Sequence, residues 1–168
     1  MKTKLLISLS FLFLNTAIFA QVDQKFAYVN SDSVMRSMSE YKIQMKTLES
    51  YAKQLQTQYQ TKQQSMQQKI QDYQANAADW VPDVLQEKQK EINELDSELK
   101  SFPQTYQFSV QRKQQELMSP LMEKVEIAIS KVAKEESVNF VFPDQSLLFS
   151  QEKLDLTAKV IAKVNTVE

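Results

Sequence analysis

The sequence predicts an α+β fold, mostly α, in which a long antiparallel helical hairpin projects from a small β-body. Three observations lead to this prediction. An apolar repeat with alternating steps of three and four residues runs from Met38 to Tyr73, a second apolar stripe follows it, and short strand-like segments lie at both ends. Two apolar stripes of coiled-coil type, separated by a turn, predict two helices that pack against each other.

Residues 1–20, MKTKLLISLSFLFLNTAIFA, have the layout of a secretory signal peptide, with two lysines, an apolar run and a small residue at the end. We expect cleavage between Ala20 and Gln21. The apolar run is shorter than the roughly 20 residues that span a membrane, and the chain has no cysteine that could carry a lipid anchor. We therefore expect the mature chain to be exported and soluble.

The composition argues against several kinds of active site. The chain contains no Cys, His or Gly, so it lacks thiolate and imidazole metal ligands, disulfides and glycine loops that cradle phosphates. Without the two signal-peptide lysines, 18 basic residues face 21 acidic ones. A mildly acidic chain without a basic stripe does not favour nucleic acid as a partner. We expect no enzyme activity, no cofactor and no metal.

The first strand is predicted at residues 25–30, KFAYVN, and the first long helix from about Ser33 to Asn76. A lone strand cannot satisfy its backbone groups, so its partner must lie elsewhere in the chain. Two lysines in the distal part of the helix indicate that its seam loosens with distance. The seam consists of Met38, Tyr41, Met45, Leu48, Ala52, Leu55, Tyr59, Lys62, Met66, Lys69 and Tyr73.

The repeat stops at ANAADWVPDVLQ, and residues 76–79 are predicted to form the hairpin turn. Asp79 is expected to cap the return helix, with Pro82 in its first turn, where a missing N–H costs little. Trp80 lies near the tip. It either packs the two helices together or is exposed for a bound partner.

The return helix contains two features that predict a bend in the arm. The steps from Phe102 to Tyr106 to Val110 form a stutter, which locally unwinds a supercoil, and Pro103 at the same place removes one helical hydrogen bond. Pro120 indicates a second possible break. The stripe consists of Leu85, Ile92, Leu95, Leu99, Phe102, Tyr106, Val110, Leu117, Leu121, Val125, Ala128 and Val132.

After the return helix, two short strands are predicted at Val138–Phe142 and Ser146–Phe149. A short closing helix follows, capped by Asp155 or Thr157. The small sheet is apolar on both faces, which favours burial against other copies of the chain over an ordinary monomer core. The residues predicted to make these contacts are Phe26, Tyr28, Val29, Phe140, Phe142, Leu147 and Phe149.

The chain resembles the Skp/OmpH family of periplasmic chaperones across essentially the whole mature length. The matching segments are FAYVNSDSVM, SEYK at 39–42, SPLMEKVEIAISKVAKE and VNFVFPDQSLLFSQEKLDLTAKVI. The resemblance implies a periplasmic homotrimer whose three hairpins surround a cavity. It also implies that unfolded outer-membrane β-barrel proteins are held in this cavity without ATP or covalent chemistry.

The domain boundaries follow from this architecture. Residues 21–36 and 118–168 are predicted to form the β-rich oligomerisation body, and residues 37–117 the arm, with its tip near 76–82.

Residues 62–100 carry five lysines against eight acids, which argues against attraction to anionic lipid or lipopolysaccharide. The family often has a glycine before its second strand. Here the turn must be made by other residues, such as Ser137 or Asn139.

Client contacts are expected on the distal arm, where adaptable or amphipathic side chains suit promiscuous binding. In the alternative, the seam residues Tyr59, Met66 and Tyr73 simply pack against the return helix, whereas Ile70 lies off the seam and is expected to be exposed. A rival function is a structural or adaptor coiled coil with specific folded partners. The candidate client-binding residues are Tyr59, Met66, Ile70, Tyr73, Trp80 and Phe102.

Overall fold

The computed structural model describes residues 24–166, so the predicted signal peptide and its cleavage site at Ala20 and Gln21 lie outside the described residues. The two longest helices pack together as a hairpin, and the other elements form a small body at its base. The predicted mostly helical α+β fold class is thereby confirmed. The elements are β1 (Phe26–Val29), α1 (Ser31–Ser37), α2 (Ser39–Asn76), α3 (Pro82–Glu135), β2 (Phe140–Pro143), single 3-10 turns at Asp144–Ser146 and Glu152–Leu154, and α4 (Thr157–Val164).

The partner of the first strand lies at the far end of the chain, as predicted. β1 and β2 pair in parallel, with Phe26 opposite Phe140 and Val29 opposite Pro143. Parallel strands need a long connection, which here is the whole helical hairpin. The side-chain oxygen of Asn139 accepts a hydrogen bond from the backbone N–H of Lys25 at 2.9 Å. This bond ties the start of β2 to the start of β1.

The prediction of a further strand at Ser146–Phe149 is wrong. These residues pair with no strand in the described part of the chain. The other side of β1 is occupied by the segment before α4, because the backbone N–H of Leu156 donates to the carbonyl of Tyr28 at 3.0 Å. Leu148 and Phe149 consequently lie exposed.

The first helix begins earlier than predicted and is interrupted. Asn30 caps α1, since its Oδ1 accepts a hydrogen bond from the backbone N–H of Ser33 at 2.7 Å. Met38 then takes an extended conformation, with ψ 138°, before α2 begins. The apolar repeat does not reveal this break, because Met38 keeps its place on the buried stripe at 1 % exposure.

The hairpin turn covers residues 77–81, slightly later than predicted. The prediction that Asp79 caps the return helix is wrong, because Val81 holds the cap position and supplies no side-chain hydrogen bond. Pro82 is the first residue of α3, as predicted. Its missing N–H costs little there, since the first N–H groups of a helix have no acceptor within the helix.

Helix α3 runs for 54 residues without interruption, through both Pro103 and Pro120. The predicted break at Pro120 is therefore wrong. Leu121, the next residue, is 4 % exposed in the core of the body, and this packing holds the helix across the proline. The bend of the arm at Pro103 stays a prediction. Within residues 24–166, no helix combines the length and apolar character needed to cross a membrane.

The turn from α3 into β2 is made without glycine. Ser137 takes a positive φ of 54°, and the backbone N–H of Val138 donates to the carbonyl of Ala133 at 2.8 Å. This is the left-handed helix ending that glycine usually forms. The expectation that Ser137 or Asn139 makes this turn is confirmed for Ser137.

The core of the chain lies in the body, where β1, α1, the end of α3 and α4 meet. Val29 is 1 % exposed in this core, so the prediction that it contacts another copy is wrong. The backbone N–H of Thr157, at the start of α4, donates to Oδ1 of Asp155 at 2.8 Å. Leu156 nevertheless holds the cap position and supplies no side-chain hydrogen bond, so the prediction that Asp155 or Thr157 caps this helix is wrong. The core residues are Ala27, Val29, Val34, Met35, Met38, Leu121, Val125, Ala128, Val132, Leu156, Val160 and Val164.

Candidate functional site

The arm is packed more tightly at its base than along its length. Near the body, Leu48 of α2 and Leu121 and Val125 of α3 are at most 8 % exposed. Between residues 49 and 120, Ile92 is the one side chain that is buried to a similar degree. Met45 departs from the predicted seam, since it is 39 % exposed. The distal seam is thus half-buried, which keeps apolar side chains close to solvent.

An aromatic cluster lies midway along the arm. The rings of Tyr59 on α2 and Phe102 on α3 stack with their centroids 4.5 Å apart, and Tyr106 lies 5.8 Å from Phe102. Tyr59 and Phe102 therefore meet across the seam, and Tyr106 joins them as a residue that was not among the candidates. Met66 is half-buried, and so is Ile70, which was expected to lie exposed off the seam.

The two lysines of the seam form ion pairs across the hairpin. Lys62 pairs with Glu98, and Lys69 pairs with Glu91. The glutamates were not singled out from the sequence. The sequence contained one signal that could have identified them: the two lysines are seven positions apart, and so are the two glutamates. Lys69 and then Lys88 lower the pKa of Glu91 below its usual value, which keeps this carboxylate ionised.

Trp80 lies against the end of α2 at the arm tip. Its ring meets that of Tyr73 edge-on, with centroids 6.0 Å apart and an interplanar angle of 70°. This contact favours the interpretation in which Trp80 packs the two helices together at the turn. Val81 beside it is 61 % exposed and is the more accessible apolar side chain of the turn.

The charges of the distal arm are unevenly placed. All five lysines of residues 62–100 form ion pairs with acidic side chains of α3. Among the described residues, four acids near the tip have no lysine or arginine nitrogen within 4.0 Å. The outer surface of the tip is therefore negative. These acids are Asp72, Asp79, Asp83 and Glu87.

At the base of the arm, Nζ of Lys124 on α3 lies 3.1 Å from Oε1 of Glu40 on α2. Ser39 donates a second side-chain hydrogen bond to Glu40, also at 3.1 Å. A backbone hydrogen bond and then these two side chains lower the pKa of Glu40. The pair joins the two helices directly beyond the break at Met38, where the arm leaves the body.

The body exposes an aromatic face beside the open edge of β2. Phe26 stacks on Phe140 at 5.6 Å and lies 6.2 Å from Phe142, and all three rings are at least 40 % exposed. Phe149 is 83 % exposed, and Leu148, which was not among the candidates, is fully exposed. Of the other predicted contact residues, Tyr28 and Leu147 are half-buried. We call Phe26, Phe140, Phe142, Leu148 and Phe149 the aromatic face.

Two regions therefore leave apolar side chains accessible to solvent. One is the half-buried seam of the arm, and the other is the exposed aromatic face of the body. In residues 24–166, no three His, Cys, Asp or Glu side chains lie close enough to hold a metal ion. Both regions offer apolar and aromatic contacts, which suit the binding of protein surfaces or unfolded chains.

Comparisons with known proteins agree with this architecture. A chain from Vibrio cholerae named "Chaperone protein Skp" is 22 % identical over 145 residues, covering 86 % of both chains. A crystal structure of an OmpH-like protein from Caulobacter crescentus superimposes with a TM-score of 0.69 over 85 % of both chains, at 13 % sequence identity. The family described as "Outer membrane protein (OmpH-like)" matches residues 25–164. The chain therefore belongs to the OmpH-like outer membrane protein family.

Proposed function

We propose that this protein is an ATP-independent holdase chaperone of the periplasm, which binds unfolded outer-membrane β-barrel proteins between its helical arms. The observation that carries the proposal is the arm itself, two helices of 38 and 54 residues with a half-buried apolar seam. The name of the Vibrio cholerae relative supports a chaperone function. An unfolded barrel protein exposes strand edges and apolar side chains that need cover until they reach the membrane.

The working form of the chaperone is proposed to be a homotrimer. A two-stranded sheet is marginal alone, and the aromatic face leaves large apolar side chains beside the open edge of β2. Further copies of the chain would cover this face and supply a neighbour for the open edge of β2. Three bodies joined in this way would carry three arms around one cavity, which is the space proposed for the client.

The negative charge of the arm tip supports the proposal that the protein does not bind anionic lipid. Since the lysines of the distal arm are already paired, the tip offers acids to its surroundings. Like charges repel, so vesicles rich in anionic phospholipid are expected not to bind the protein.

Export is expected to leave a chain that begins at Gln21, and N-terminal sequencing of the periplasmic protein tests this cleavage.

A second function, a structural or adaptor coiled coil of the cell envelope, is favoured by the closed tip. Tyr73 packs against Trp80 there, and Ile92 is buried in the distal seam. A hairpin that is apolar and closed to its tip would suit a rigid spacer between folded partners. Such a spacer would have no effect on the aggregation of unfolded chains.

An aggregation assay distinguishes the two functions. An outer-membrane β-barrel protein is diluted from urea with and without the mature chain, and light scattering is followed. We expect suppression at one trimer per client, both with and without added ATP. Phe102→Ser is expected to weaken suppression, while Phe108→Ser, which alters an exposed aromatic residue outside the predicted seam, serves as the matched control. If light scattering is the same with and without the wild-type protein, the holdase function is refuted.

A further inference from the structure

The arm seam contains ion pairs at two layers where a coiled coil ordinarily places apolar side chains. We call the four residues of these pairs the charge latch: Lys62, Lys69, Glu91 and Glu98. The pairs occupy equivalent positions one heptad apart, since the spacing is seven residues on both helices. The four side chains are between 33 % and 54 % exposed, so water and salt reach both layers.

Exposed ion pairs hold two helices together only weakly. A pair of this kind shifts an equilibrium by about 1.5- to fivefold, and salt screens the attraction. A well-buried apolar pair shifts it by more than about tenfold. The base of the arm is held by buried apolar residues such as Leu48 and Val125. Cohesion between α2 and α3 therefore falls from the base toward the latch, where Ile92 is the one side chain that is buried to a similar degree.

We infer that the charge latch lets α2 and α3 separate locally and present their seam side chains to an unfolded client. The latch lies between two aromatic contacts, Tyr59 with Phe102 and Tyr73 with Trp80. Met66 lies between the two latch lysines on α2 and becomes accessible when the helices part. A seam that was apolar throughout would keep such side chains covered. The opening is a property of the free protein, whereas presentation to a client rests on the proposed function.

The opening is tested first without any client, by amide hydrogen exchange on the full mature chain. Raising the salt concentration from low to molar levels is expected to speed exchange of the distal arm amides by about two- to twentyfold, because both pairs are screened. Amides of the arm base are expected to change less, because buried apolar residues such as Leu48 and Val125 hold the helices there in addition to the ion pair of Lys124 with Glu40. Equal salt dependence at the base and in the distal arm would overturn the latch.

Charge reversal separates attraction from other effects of salt. Lys62→Glu combined with Lys69→Glu is expected to speed distal exchange at low salt. Adding Glu91→Lys and Glu98→Lys is expected to restore the slow exchange. A quadruple variant that exchanges as fast as the double variant would contradict an electrostatic latch.

A locked arm tests the link to the client. Leucine at all four latch positions is expected to slow distal exchange at least about tenfold and to weaken suppression of client aggregation. As the matched control, Lys90→Leu with Glu94→Leu removes a pair within α3 and is expected to alter neither result. Full suppression by the locked arm would refute presentation by opening but leave the holdase function intact. Failure of the wild type to suppress aggregation would refute that function, and the exchange results would still decide the latch.

Discussion

The aromatic face gives the sharpest prediction on assembly, through the substitution Phe149→Ser. Phe149 is 83 % exposed, so its removal costs the folding of a single chain little. A buried aromatic side chain covers about 150–250 Å². At about 25 cal/mol per Å², covering the exposed fraction of Phe149 in an oligomer contributes about 3–5 kcal/mol per copy. All three copies of a trimer lose this contribution together.

Analytical ultracentrifugation over a dilution series measures the effect. We expect F149S to sediment as a monomer at concentrations where the wild type is a trimer, with unchanged helix content by circular dichroism. Phe108→Ser is the matched control, because Phe108 is 65 % exposed but lies on the arm. An F149S trimer as stable as the wild type would show that Phe149 is not covered on assembly, and a wild-type chain that is monomeric throughout would show that the chain does not form the trimer.

Three further predictions concern stability. Ser137→Gly is expected to stabilise the fold by about 0.5–1 kcal/mol in thermal unfolding, because glycine adopts a positive φ without the Cβ penalty. Unchanged or lower stability would contradict this. Val125→Ala, in the fully buried core, is expected to lower the free energy of unfolding by about 2 kcal/mol in urea titration, and a loss no larger than that of a surface substitution would contradict it. Glu40→Gln tests the lowered pKa of the Glu40 carboxyl group. The stability that the ionised carboxylate contributes is fully present above pH 4.5, the ordinary pKa of this group. It is lost as the pH falls through the lower pKa of the folded state. The stability difference between wild type and E40Q should therefore shrink below pH 4.5, and a difference that grows on acidification would oppose this sign.

The sequence predicts the long helices well because their apolar periodicity persists over many turns. Each stripe residue from Leu85 to Val132 is at least half-buried. Periodicity does not report a one-residue break, and Met38 shows this, since it ends α1 while remaining on the stripe. Pro120 gives the opposite error: local propensity predicts a break, and packing of the next turn into the body overrides it.

The strands were harder to predict because their pairing depends on distant residues. β2 was found near its predicted place, but the apolar run at Ser146–Phe149 meets no strand of its own chain. Its composition indicates burial and does not say against which molecule. In the arm, the lysines were correctly read as interruptions of the apolar seam. Identifying their glutamate partners requires the register between the two helices of the hairpin, and the sequence of one helix does not contain this register.

The proposed function requires the arms to hold an unfolded outer-membrane protein. Native mass spectrometry of the mature protein mixed with a urea-diluted β-barrel client tests this requirement. A photo-crosslinking residue at position 66, in the distal seam, identifies the contacts in the same sample. We predict a complex of three chains and one client, with crosslinks to the unfolded client and none to the same client after folding. The absence of this complex, or equal crosslinking to folded and unfolded client, would contradict the proposed holdase function.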